Sequence, residues 1–136
     1  MKNKNFSGGL FAAKPTPLTI KETPLSKRIA EYFDHRRIYN DRLNCGKVQT
    51  TSGNWLQLCK AGTPDRFAVV CGQIVFVEVK MRGEKPTPEQ LKKHDELRAA
   101  SAIVIIADDF YRFVTHFEAV RAQITLAQSK EVKLYD

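Results

Sequence analysis

Apolar positions along this chain change spacing several times, and each change marks an element. Leu25, Ile29, Tyr32 and Phe33 recur three and four residues apart, which puts them on one face of a helix running to about Arg37. Residues 38–51 and 54–59 lose that period and read as short strands around a Ser52-Gly53-Asn54 turn. Phe67 to Cys71 is a continuous apolar run, and Gln73 to Lys80 is a second, rich in β-branched and aromatic residues. Thr87-Pro88-Glu89-Gln90 opens a second helix, with Thr87 as N-cap, Pro88 at the first helical position and Gln90 at the capping-box position; it runs to about Ala100. Ala102 to Ala107 is an apolar strand. Asp108-Asp109 then caps a third helix, in which Phe110, Phe113, Phe117, Val120 and Ile124 keep helical spacing. The order α, β, β, β, β, α, β, α predicts an α/β sandwich with a central mixed β-sheet flanked by helices.

The two apolar runs are separated by Cys71-Gly72, a plausible two-residue turn with Gly where a positive φ is needed. Pairing across that turn sets Asp65 opposite Glu78. A turn at Gly72-Gln73 instead sets Asp65 opposite Lys80, and either register keeps the acid near the end of the second strand. Alternation along that strand puts Ile74, Phe76, Glu78 and Lys80 on one face and Val75, Val77 and Val79 on the other. Both faces are apolar, as in a strand covered on both sides, until the polar residues at its end. Two carboxylates held together at a strand end form a hard-oxygen site suited to Mg²⁺ or Mn²⁺ and a phosphate oxygen. Lys80 then supplies a fixed cation for the charge that develops in phosphodiester hydrolysis.

Charge strengthens this reading. With 22 Lys and Arg against 15 Asp and Glu, the formal charge is +7, which suits a polyanionic partner. Lys80, Arg82, Lys85, Lys92 and Lys93 follow the acidic strand end, and Arg36, Arg37 and Arg42 follow the first helix. At 136 residues the chain fits one domain. We expect a flexible basic arm over residues 1–20, the folded domain over 21–130 and a short tail over 131–136. Cys45, Cys59 and Cys71 form no CxxC pair and read as reduced, mostly buried thiols; His35, His94 and His116 lack ligand spacing and read as surface or helix-face residues. No membrane or export segment is read from the pattern, so a cytoplasmic protein is expected.

With these residues placed, the chain resembles the VRR-NUC domain, the virus-type replication and repair nuclease branch of the PD-(D/E)XK superfamily, over about residues 20–115. The resemblance rests on an acid at the start of helix one, Arg42-Leu43-Asn44, the Gly62-Thr63-Pro64-Asp65 turn, Glu78-Val79-Lys80, and Gln90 opening the next helix. It implies a restriction-endonuclease-like fold and nuclease activity with Mg²⁺ or Mn²⁺, with DNA as partner. It also implies that small stand-alone members act as homodimers on branched DNA such as four-way junctions. Carried over by residue, Asp65, Glu78 and the Val79 carbonyl bind metal, Lys80 is the catalytic lysine and Gln90 sits beside it. Gln90 is equally well explained as a cap, and the two roles are compatible. The first-helix acid is Glu22, which precedes Leu25, Ile29 and Phe33 at helical spacing, although Pro24 also allows the helix to begin there and leave Glu22 on the lead-in. Arg42, Asn44, Arg82, Lys85 and Lys92 are the candidate DNA-contacting residues. The third-helix phenylalanines are the candidate dimer surface, or else core. The readings from other classes are a non-catalytic nucleic-acid-binding module and a subunit of a phage replication or repair assembly.

Overall fold

A computed structural model describes residues 22–132; the expected N-terminal arm and the last four residues of the tail lie outside them. The described chain is a mixed sheet flanked by helices. Its elements are α1 (Pro24–His35), β1 (Tyr39–Arg42), β2 (Lys47–Gln49), β3 (Trp55–Gln57), β4 (Arg66–Val70), β5 (Gln73–Val79), α2 (Pro88–Ala99), β6 (Ile103–Ala107) and α3 (Phe110–Val132). Strands β1, β4, β5 and β6 form one sheet in that spatial order. The first two pairings are antiparallel and β5–β6 is parallel, with α2 as the crossover that a parallel pair requires.

The expected strand over residues 38–51 divides into two strands in different sheets. Gly46, at φ +151°, breaks the extended run, so β1 joins the main sheet while β2 pairs only with β3 in a separate ribbon. The helices start where their caps predict. The Thr23 side chain accepts from Ser26 N–H ahead of Pro24, and Asp109 Oδ1 accepts from Arg112 N–H ahead of α3. Helix α3 continues two residues past 130.

The core lies between α1, α3 and one face of the sheet. Ile29 and Phe33 of α1 and Phe113 and Phe117 of α3 pack on Ala68, Val70, Val75, Val77, Ile105 and Ala107. The rings of Phe33 and Phe117 stand 4.9 Å apart at 72°. Each fully buried Phe contributes roughly 2–3 kcal/mol of transfer free energy. Phe113 and Phe117 are therefore core, and the third-helix stripe is not a dimer surface. The opposite sheet face carries Phe67, Phe76, Glu78 and Ile106, and α2 covers its β5–β6 side through His94.

Candidate active site

Hairpin β4–β5 fixes the geometry of the candidate acids. Val70 pairs with Gln73 and Arg66 with Val77, so the turn is Cys71-Gly72, both residues at positive φ (50° and 78°). Extending that register by one pair sets Asp65 opposite Glu78. Asp65 Oδ2 accepts the Val79 N–H at 2.7 Å, and the Asp65 carbonyl accepts Leu43 N–H at 2.7 Å, which ties the acid to β5 on one side and to the Arg42-Leu43-Asn44 segment on the other. The preceding turn is locked against α2. A Cβ on Gly62 would stand 2.5 Å from the Glu89 carbonyl oxygen, and φ there is +80°, so glycine alone lets the Asp65 loop meet the first turn of α2.

Glu78 sits at the centre of this arrangement with 2% of its surface exposed. Gln90 Nε2 donates to its Oε1 at 2.8 Å, and Lys80 Nζ lies 3.9 Å from the same oxygen. Gln90 also completes the capping box, its Oε1 accepting Thr87 N–H at 2.9 Å while its own N–H donates to Thr87 Oγ1, so cap and site share one side chain. Burial pushes the Glu78 carboxyl up to about 8, and the facing Asp65 carboxylate adds to the rise against the lowering effect of Lys80. Its Oε2 has no hydrogen-bond partner among the described residues.

That oxygen faces a residue which sequence reasoning set aside. His94 is fully buried, its Nε2 3.5 Å from Glu78 Oε2, so the helix-face expectation for it is corrected. Burial, with Arg98 beside it, pulls its pKa below the ordinary value and keeps the ring neutral. His94 follows Gln90 by four residues and therefore shares its helix face, which is the signal that could have found it. Arg66 was also missed. It is buried at the end of the core face, donating to Glu22 Oε1 at 3.0 Å and to Asn40 Oδ1 at 3.3 Å.

Glu22 lies on the lead-in and not in α1, because Pro24 begins the helix. Its carboxylate accepts from Ser26 Oγ at 2.8 Å, binds Arg66, and stands 3.9 Å from Arg42 Nε. Arg42 and Asn44 line a cleft of about 160 Å³ together with Thr23, Cys45, Asp65 and Val79. Arg82 lines a neighbouring groove with Lys80, Met81 and Leu25. Lys85 and Lys92 are exposed and line neither. The cysteines are less buried than expected, since they occupy the surface positions of a ribbon foot and a turn. Cys45 and Cys59 are half-buried and Cys71 is exposed. Burial and the neighbouring Cys59 push the Cys45 thiol up to about 12, which keeps it protonated and unreactive.

Among the described residues no group of three or more His, Cys, Asp or Glu side chains converges as a metal cage. No helix among the described residues is long and apolar enough to cross a membrane. No family model and no solved structure matches the chain. It is 50% identical over 50 residues to a protein named putative nuclease p44 from Acyrthosiphon pisum secondary endosymbiont phage 1, a match covering 36% of this chain. The chain spans about half the length of that relative, 54%.

Proposed function

We propose that this chain is a Mg²⁺-dependent DNA endonuclease of the VRR-NUC type, with a restriction-endonuclease-like fold, hydrolysing phosphodiester bonds in branched DNA as a homodimer. The observation that carries the reading is the pairing of Asp65 and Glu78 across a two-residue turn, with Lys80 at the next inward position and Gln90 bonded to Glu78. The partial likeness to a phage protein named as a nuclease supports the nuclease part of this reading. So does the net charge of +7.

The residues fit a divalent cation. Glu78 presents a buried oxygen without a hydrogen-bond partner, and burial together with the facing Asp65 opposes its ionisation, which a bound cation would favour. Asp65, Glu78 and the Val79 carbonyl would hold the ion. When bound, it supplies an acidified water and a counter-charge for the phosphate. Gln90 holds one Glu78 oxygen in place so that the carboxylate does not rotate away. Lys80, anchored by its N–H to the Ala107 carbonyl at 2.8 Å and reaching Glu84 as well as Glu78, sets a cation where charge develops on the phosphate oxygens. Arg42 and Asn44, on the cleft wall, would contact the DNA backbone.

Cleavage of labelled four-way, flap, duplex and single-stranded DNA, in Mg²⁺ and in EDTA, tests the proposal. Asp65→Ala and Glu78→Ala should abolish cleavage while DNA binding persists, because removing an acid also lessens repulsion of phosphate. Lys80→Ala should lose turnover by orders of magnitude with Mn²⁺ affinity retained. Unchanged turnover in Asp65→Ala would reject the site.

A further inference from the structure

The β2–β3 ribbon stands outside the four-stranded sheet, its strands pairing only with each other. A lone two-stranded ribbon is marginal in water, and this one is fastened at both ends. At the tip, Thr50 N–H donates to the Asn54 carbonyl at 2.7 Å and Gly53 N–H to the Thr50 carbonyl at 2.9 Å. At the foot, Leu58 N–H donates to the Gly46 carbonyl at 2.9 Å, and the Gln57 amide donates to the Gly46 and Cys59 carbonyls at 3.2 and 2.6 Å. Polar groups at both ends are thus satisfied while the large apolar side chains are left in water. Trp55 is 67% exposed, Leu56 52% and Leu58 43%. The register sets Trp55 opposite Gln49, on the face that also carries Lys47 and Gln57. Leu56 pairs with Val48 on the opposite face, so Trp55 is the large apolar group of the Lys47 face.

Charge and continuity identify what that surface meets. No Asp or Glu occurs between Asp41 and Asp65, while Arg42, Lys47 and Lys60 fall within the stretch, so the ribbon and both its stems carry cations alone. The incoming stem is itself the cleft wall, because Arg42, Leu43, Asn44 and Cys45 line the cleft beside Asp65, and the outgoing stem leads through Lys60 into the Asp65 turn. Cleft wall and ribbon are consecutive in the chain, so a polyanion that leaves the cleft past Asn44 and Cys45 would meet the ribbon's foot. An aromatic ring on a cationic strand pair is a stacking platform for a base whose face is open, and duplex bases keep their faces covered.

We infer that the ribbon is a DNA-engaging arm on which Trp55 stacks against an unpaired base of the strand held in the cleft that Asp65 lines, with Lys47 and Lys60 meeting the flanking phosphates. The inference rests on the nuclease reading for the cleft and adds the substrate feature, an exposed base, that the arm selects. Trp55 is the only tryptophan in the chain, so its emission reports on the ribbon alone. The full chain in EDTA is titrated with a single-stranded oligonucleotide, a four-way junction, a paired duplex and heparin, reading tryptophan emission and, for the labelled DNAs, anisotropy. The single strand and the junction should quench Trp55 and shield it from acrylamide, the duplex should do so less, and heparin should leave the emission unchanged. Trp55→Ala should weaken single-strand binding about tenfold, and Trp55→Phe should restore most of it. Anisotropy that reports binding while the emission stays unmoved overturns the arm, as does equal quenching by heparin. Emission that changes with protein concentration in the absence of DNA also overturns it, by making the ribbon a contact between copies. Cleavage in Mg²⁺, read on the same preparation, separates the two readings. Cleavage with a silent Trp55 removes the arm and leaves the nuclease, whereas quenching without cleavage removes the nuclease and keeps the arm.

Discussion

Glu78 holds its proton until about pH 8 in the folded chain, because burial and the facing Asp65 oppose ionisation, whereas its ordinary value is 4.5. Between those values the folded state binds more protons than the unfolded state, so stability falls as pH rises, by at most about 1.4 kcal/mol per pH unit. His94 acts in the opposite sense. The folded ring stays neutral while the unfolded one takes up a proton below its ordinary 6.5, so its contribution to stability rises with pH up to that value. The His94 effect fades over about one unit above that value, so between about pH 7.5 and 8 the Glu78 effect dominates. Thermal melting in EDTA should show stability declining across that window in the wild type and flat in Glu78→Gln. Equal slopes in the two proteins would mean that Glu78 is ionised throughout. Saturating Mg²⁺ should flatten the wild-type slope, since a bound cation favours the carboxylate at every pH in the window.

Helix α2 joins two tasks at one element end, and substitution can separate them. Thr87→Ala removes the cap and should cost about 1 kcal/mol of stability while turnover stays within a few-fold. Gln90→Ala loses the same cap partner and also releases Glu78, so it should melt like Thr87→Ala yet lose turnover much more steeply. Turnover that falls equally in both would reduce Gln90 to a cap. Elements of this kind were legible in the sequence because their signals are local: Thr87 to Gln90 spans one turn, and the β4–β5 hairpin was marked by its turn residues, although the choice between Cys71-Gly72 and Gly72-Gln73 was made only by the strand pairing. Non-local features were not legible. The Glu22–Arg66 pair joins residues 44 apart, and nothing beside either one names its partner. The division of residues 38–51 into β1 and β2 depends on which sheet each strand joins, a tertiary choice of which Gly46 was the one local sign. His94 was passed over because a polar residue in a charged helix reads as solvent-facing until the strand carrying Glu78 is set beneath it.

On the proposed reading, one cleft among the described residues constrains what a single chain can do to branched DNA. Paired incisions on opposite strands of a four-way junction need two sites, and a two-fold dimer presents them with the symmetry of the junction. The Phe113 and Phe117 face of helix α3 cannot supply the contact, since both rings are buried in the core. The sheet face that carries α2 is the alternative. Tyr39 and Ile74 flank Val69 across β1, β4 and β5 and remain exposed there, the kind of apolar row that a second copy can cover. Light scattering should show a dimer, with the junction bound by two chains and cut at symmetry-related positions, and Ile74→Lys should yield a monomer that nicks without pairing its cuts. Binding of wild type and variant alike should weaken steeply with added salt, because phosphate contacts by Lys and Arg dominate affinity and release counterions. A wild-type chain that stays monomeric with and without the junction, and nicks linear duplex as readily, would leave a general nuclease in place of a junction-directed dimer.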